Sequence, residues 1–131
     1  MAVRSANRLV DYPEACHLVS DLGASPISSW PQLIDDVLTL RSLRDDWDGQ
    51  GAEAPDPAVL DGALKFAQDF RAAQMPPADR VIAGVNGTVY FEWHGPGGYL
   101  EIEVTAPDRA EGRLVRKGSE VTEVFTLSRR S

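Results

Sequence analysis

The residues best suited by type and spacing to do chemistry form an acidic loop, Asp46-Trp47-Asp48-Gly49-Gln50-Gly51. The loop approaches the pattern of a calcium-binding loop, which places oxygen ligands at positions 1, 3 and 5 and a glycine at position 6. Counted from Asp46, the first half of the pattern fits. Position 12, however, needs a bidentate glutamate and is Pro57 here. The sequence therefore predicts no metal site in this loop.

We interpret the loop instead as a structural turn that joins two helices. Trp47 is expected to be buried as a core anchor against the helix pair. Gly49 and Gly51 are expected to adopt positive φ, and aspartates such as Asp48 to cap free backbone N–H groups.

Other candidate catalytic groups are weaker. Cys16 is followed by His17, but neighbours in sequence rarely face each other, so a packed thiol is favoured. His17 and His94 are too few for a zinc site when there is one cysteine. The glycine-rich residues 95–98 join two predicted strands, and no helix begins there to receive a phosphate. No catalytic residue, metal or cofactor is assigned.

The strongest register signal lies around residues 95–98, read as a four-residue loop between two strands. This loop places Trp93, Phe91 and Val89 opposite three apolar residues on the core face, and a one-residue shift would bury Glu101 there. The opposite face then carries aromatic and acidic side chains, which we predict as a binding surface for a partner: Tyr90, Glu92, His94, Tyr99, Glu101 and Glu103.

This predicted face brings like charges together. Glu92 lies directly opposite Glu101, and like charges across a strand pair are destabilising. One offset is internal, from Arg113, Arg116 or Lys117 on the next strand. The functional offsets are a bound cation or the basic surface of a partner.

Helix and strand signals predict an α+β fold with two helices packed on one face of an antiparallel meander sheet of about five strands. Ser29 caps the first helix, which ends near Arg44, and Asp56 caps the second, which ends at residues 75–77. Residues 1–28 lack a sustained hydrophobic period, so they are expected to be a partly ordered N-terminal arm with a short element at 15–22. Residues 29–131 are expected to form the single α+β domain.

Composition restricts the function classes. The chain has 131 residues, with 13 Lys and Arg against 20 Asp and Glu, and a formal net charge of −7. That charge disfavours direct nucleic-acid binding and docking on anionic lipid, and it suits a basic protein partner. A single cysteine and the lack of a long apolar run or signal peptide predict a small, cytoplasmic protein.

Several of these motifs together resemble a group of small bacterial and phage proteins for which no activity is known. The resemblance rests on the Trp47-Asp48-Gly49-Gln50-Gly51-Ala52 turn before a helix, the Phe91-Glu92-Trp93 strand and the Leu100-Glu101-Ile102-Glu103 strand. It covers roughly residues 33–105 and implies a bacterial or phage origin without a mechanism.

The leading hypothesis is a non-enzymatic interaction module, such as a regulator, inhibitor or accessory subunit of a toxin–antitoxin or phage-defence system. It would present the acidic sheet face to a larger, basic protein. One alternative is a small carboxylate- or metal-dependent hydrolase using residues 45–48 with Glu92 and Glu101. Another is a self-assembling structural subunit, a homo-oligomer whose last strand pairs across a symmetry axis.

Overall fold

A computed structural model describes residues 3–4 and 8–129 of the chain. Within these residues the fold is α+β, as predicted, with one sheet and a layer of helices on one of its faces. The elements in chain order are β1 (Val3–Arg4), β2 (Arg8–Leu9), α1 (Tyr12–Asp21), α2 (Trp30–Thr39) with a 3-10 turn (Leu40–Ser42), α3 (Pro57–Ala72), β3 (Arg80–Ala83), β4 (Val89–Gly95), β5 (Gly98–Ala106), β6 (Arg109–Arg116) and β7 (Val121–Ser128).

The described residues contain three α-helices, so the predicted number of two was wrong. The additional helix, α1, lies inside the segment that was expected to be a partly ordered arm. The Asp11 carboxylate accepts from the Glu14 N–H at 2.8 Å, and Pro13 lies in the first turn, where no N–H is required. The buried residues of α1 and its C-cap, Ala15, Leu18, Val19 and Leu22, belong to the main core.

The sheet is mixed and not purely antiparallel. The meander of five antiparallel strands, β3 to β7, agrees with the prediction, and consecutive strands are neighbours. The two short strands β1 and β2 then pair in parallel with the outer edge of β7. This edge is the one that a self-assembling subunit would have needed for pairing across a symmetry axis, and the pairs Val3–Val121 and Arg8–Phe125 occupy it.

The predicted register of the β4–β5 hairpin is confirmed. Trp93 pairs with Leu100, Phe91 with Ile102, and on the opposite face Glu92 pairs with Glu101. The β3–β4 connection differs from the two-residue hairpin that Asn86-Gly87 indicates. The N–H of Gly84 donates to Thr88 O at 2.8 Å, and Gly87 takes a φ of 80° in a three-residue loop.

An aromatic cluster joins the helix layer to the sheet. Trp30, the first residue of α2, lies with its ring centroid 5.7 Å from that of Phe70 on α3 and 6.4 Å from that of Trp93 on β4. The indole N–H of Trp30 donates to Met75 O at 2.7 Å, and that of Trp93 donates to Pro76 O at 2.9 Å. The buried polar ends of both tryptophans are thereby satisfied.

The backbone at the end of α1 packs directly against the glycine-rich turn between β4 and β5. The N–H of Gly97 donates to Leu22 O at 2.9 Å, which satisfies one carbonyl at the helix C-terminus. A Cβ added at Gly95 would lie 2.3 Å from the same carbonyl oxygen. The turn therefore needs glycine for the close approach of two backbones.

No helix among the described residues is long and apolar enough to cross a membrane.

We expect Gly95→Ala to destabilise the protein by more than about 2 kcal/mol, because the new methyl group overlaps the backbone at the end of α1. Thermal or urea unfolding measures this change. Gly118→Ala is the control, because its position is open and only its φ of 78° is unfavourable, at about 1–2 kcal/mol. Equal losses in the two variants would contradict the close-packing argument.

Candidate functional site

The candidate site is the sheet face opposite the helices, which we call the outer face. Its centre consists of the six residues predicted as a binding surface together with Arg80, Glu111 and Arg113. Because the core side chains alternate with these residues along each strand, the described helices pack on the other side. All six predicted residues lie on this face, in neighbouring register positions.

Strand register orders the outer face into rows that cross the sheet. The central row runs Arg80–Glu92–Glu101–Arg113, so two carboxylates lie between two guanidinium groups. The next row runs Ile82–Tyr90–Glu103–Glu111, and the one on the other side begins His94–Tyr99–Val115.

Arg113 is the main internal cation of the outer face. Its Nη2 donates to Glu103 Oε1 at 3.0 Å and to Glu111 Oε1 at 2.9 Å, whereas its Nη1 lies 3.7 Å from Glu101 Oε2. Of the three cations considered from the sequence, Arg113 alone neutralises the patch. Arg116 instead bonds Glu123 Oε2 at 2.7 Å on the core side of the sheet, and Lys117 lies in the β6–β7 turn.

Glu92 is compensated by a residue that the sequence reasoning missed. Arg80 Nε donates to Glu92 Oε1 at 2.6 Å, and His94 Nε2 lies 3.8 Å from the same oxygen. The Glu92 side chain is 9% exposed, so this bond matters more than an ordinary surface pair. The signal that could have found Arg80 is the pairing of Val81 with Phe91, which places residue 80 opposite residue 92.

Glu101 remains the least compensated carboxylate of the outer face. Its nearest cation is the 3.7 Å neighbour Arg113, which is already bonded to Glu103 and Glu111. Burial raises the pKa of Glu101. The Arg113 charge opposes that rise, and the neighbouring carboxylates Glu92 and Glu103 add to it.

The tyrosines of the outer face are held as neutral hydroxyls. Burial, followed by the hydrogen bond to Glu103, raises the pKa of Tyr90 to about 12. Burial and the charges of Glu101 and Glu92 also raise the pKa of Tyr99. The rings of His94 and Tyr99 lie with their centroids 4.6 Å apart. The face therefore combines rigid aromatic surface with carboxylates.

The acidic loop is stabilised by its own carboxylates. Asp46 Oδ1 accepts from the Gly51 N–H at 2.7 Å, and Asp48 Oδ1 accepts from the N–H groups of Gln50 and Ala52. These backbone bonds lower the pKa of Asp48. Asp45 Oδ1 likewise accepts from the Ala54 N–H at 2.9 Å. Gly49 and Gly51 have φ values of 73° and 87°.

Trp47 does not lie in the core, contrary to expectation. Its side chain is half-buried, and its indole N–H donates to Glu53 O at 2.9 Å across the loop. The core tryptophans are Trp30 and Trp93. Trp47 therefore closes the loop on itself and does not anchor it to the helix pair.

The geometry of the described residues disfavours both a metal site and a nucleophilic cysteine. Within residues 3–4 and 8–129, no group of three or more His, Cys, Asp or Glu side chains is placed to hold a metal ion. The Cys16 thiol is partly buried with Sγ 3.5 Å from Ala73 O, and burial raises its pKa, which disfavours the nucleophilic thiolate.

Comparisons of the chain with protein-family models, curated proteins and solved structures found no match. The resemblance of the Trp47 turn to small bacterial and phage proteins stays a prediction from the sequence.

Substitution of the two glutamates on β5 compares a carboxylate without a hydrogen-bonded cation, Glu101, with one that accepts from Arg113, Glu103. We expect Glu101→Gln to leave the free energy of unfolding unchanged or to raise it by a few tenths of a kcal/mol, since it relieves the repulsion by Glu92. Glu103→Gln should lower it by about 1–2 kcal/mol, because the Glu103 carboxylate accepts from Arg113 and from Thr88 Oγ1 at 2.8 Å. Chemical denaturation measures both. A larger loss for Glu101→Gln would contradict this assignment.

The same group predicts a pH dependence. Because the pKa of Glu101 is higher in the folded state than its ordinary value of 4.5, the folded state binds that proton more tightly. The stability of the wild type relative to Glu101→Gln should therefore fall as the pH rises from 4.5 through the folded pKa, and then stay level. Unfolding curves of both proteins from about pH 4 to pH 7 measure the difference. A difference that is independent of pH, or rises with it, would contradict the cause given.

Trp47→Phe should cost only about 0.5–1.5 kcal/mol, since it removes one indole hydrogen bond from a half-buried ring. Trp93→Phe should cost more, because it removes the indole hydrogen bond to Pro76 O and also part of a side chain that is fully buried in the core. Parallel thermal melts of the two variants decide whether Trp47 acts within the loop or in the core.

Proposed function

We propose that this protein is a non-enzymatic interaction module, a regulator, inhibitor or accessory subunit, that docks its outer face on a basic surface of a larger protein. The observation that supports this most is Glu101. Its carboxylate lies at the centre of a rigid sheet face, next to a second carboxylate, while the nearest guanidinium is bonded elsewhere.

The charge balance of the outer face supports a cationic partner group. Within the part of the chain that the structure describes, three carboxylates, those of Glu92, Glu101 and Glu103, share two guanidinium groups, Arg80 and Arg113. This group keeps a net negative charge, which is part of the overall −7 of the chain. An approaching Lys or Arg side chain would relieve the repulsion at Glu101 and would be steered towards it by the field.

The remaining outer-face residues suit protein recognition. Tyr90 and Tyr99 offer large amphipathic surfaces with few rotatable bonds, and the bonds of the Glu92 and Glu103 carboxylates fix their positions in advance. Preorganised groups lose little conformational entropy on binding. The same negative field opposes nucleic acid and anionic lipid, so both are left out of the proposal. A cytoplasmic location is part of it, because the single cysteine suits a reducing compartment.

The proposal is tested by purifying the tagged full-length protein from its host, identifying the captured protein and measuring its binding to purified variants. Glu101→Gln should weaken that binding at least about fivefold. Asp35→Asn, which removes the same charge from the exposed side of α2, should leave it unchanged. Association of the wild type should slow as salt is raised.

Three results would contradict the proposal. They are equal binding by Glu101→Gln and wild type, equal weakening by Asp35→Asn, and an association rate that is independent of salt. The first two would place the contact away from the outer face, and the third would remove the role of charge.

A further inference from the structure

A second surface feature lies on the helix side of the sheet, away from the outer face. Here the start of α1, the last turn of α3 and the end of β7 enclose a groove of about 630 Å³. Its apolar walls are formed by Val10, Ala72, Ala73 and Leu127. This volume falls in the range of sites for small organic ligands. We call it the α1–β7 groove.

Three polar side chains from the three elements meet in this groove. Tyr12 OH donates to Asp69 Oδ2 at 2.8 Å, and Arg129 Nε donates to the same oxygen at 2.6 Å. Burial, then the Asp69 carboxylate, raises the pKa of Tyr12, so that its hydroxyl stays a donor. The Asp69 carboxylate thus fixes the positions of two groups that are 57 and 60 residues away from it in sequence.

This arrangement leaves one donor and one acceptor open side by side. The Arg129 side chain also hydrogen-bonds Tyr12, but a guanidinium has five N–H donors, more than Asp69 and Tyr12 use, and the Arg129 side chain is 22% exposed. Among residues 8–129, Oδ1 of Asp69 has no hydrogen-bond donor. A guanidinium held through Nε presents its Nη donors in a fixed direction. An adjacent donor and acceptor are complementary to an amide, which carries both an N–H and a C=O.

The charges of the groove favour a neutral ligand over an anion. The charge of Arg129 is balanced by Asp69, and a second carboxylate, Asp11, also lines the groove while capping α1. A ligand carboxylate would meet two aspartates for one arginine. A ligand ammonium group would meet the guanidinium.

We propose that the α1–β7 groove binds a small neutral ligand that carries an amide group and a short hydrocarbon tail. The amide C=O accepts from Arg129 Nη, and its N–H donates to Asp69 Oδ1. The tail lies on Ala72, Ala73 and Leu127. This site is independent of the outer face and of the proposed function.

The probe for the test is N-acetyl-leucine N-methylamide, added to the ¹⁵N-labelled full-length protein. We expect saturable changes of amide chemical shifts at Ala72, Ala73 and Arg129, with a dissociation constant on the order of 1 mM for about a dozen non-hydrogen atoms. N-acetyl-leucine, in which a carboxylate replaces one amide, should bind at least about fivefold more weakly.

Two variants locate the site. Ala72→Leu fills the groove from an exposed helix position, and it should abolish binding without changing the melting temperature. Arg129→Met should weaken binding about tenfold. The matched control is Arg41→Met, which breaks another Arg–Asp pair, to Asp61 at 2.9 Å, and should bind the probe like the wild type.

The proposal is overturned by a probe that causes no saturable shifts at these amides up to its solubility limit. It is also overturned if N-acetyl-leucine binds as tightly as the amide, or if Ala72→Leu binds normally. If Arg129→Met does not fold, the Ala72→Leu variant and the two probes still decide.

Discussion

The packing of the helices on the sheet depends on two indole N–H groups that donate to consecutive carbonyls, Met75 O and Pro76 O. These carbonyls lie in the connection from α3 to β3. Pro76 and Pro77 in this connection have no backbone N–H, so the segment cannot form regular backbone hydrogen bonds at those residues. One indole comes from α2 and the other from β4, so a single short segment is held by both layers. Loss of the Trp30 indole would leave the buried Met75 carbonyl without its donor, at a cost of about 1–3 kcal/mol.

The acidic sheet face shows how such a core constrains a surface. Because Phe91, Trp93, Leu100 and Ile102 are fully buried, their register cannot slip, and Glu92 must remain opposite Glu101. The repulsion is then partly relieved at the two ends of the row, by Arg80 and by Arg113. Arg113 serves three carboxylates, and the geometry brings it within hydrogen-bond distance of Glu103 and Glu111 but not of Glu101. Unequal sharing of one cation thus distinguishes chemically identical side chains.

Sequence reasoning succeeded where one local period decides the structure. The β4–β5 register and the six residues of the outer face follow from alternation over a single hairpin. It missed helix α1, although the start of α1 carries a helix signal. Asp11 and Pro13 repeat the N-cap and first-turn proline pattern of Ser29 and Pro31, which was recognised for α2. The parallel pairing of β1 and β2 with β7, and the half-buried state of Trp47, depend on distant packing that has no local period.

The pairing of β1 and β2 with β7 has a consequence for biosynthesis. A ribosome releases the β2 residues, Arg8 and Leu9, almost a whole chain before their partners Phe125 and Thr126. During that interval the apolar side of α1 has no finished sheet to cover it. Such long-range pairing makes folding slow and leaves early segments open to other chains. The domain is therefore complete only when the final strand, β7, has paired with β1 and β2. Nascent chains that stall before β7 is made are expected to expose apolar surface that chaperones bind.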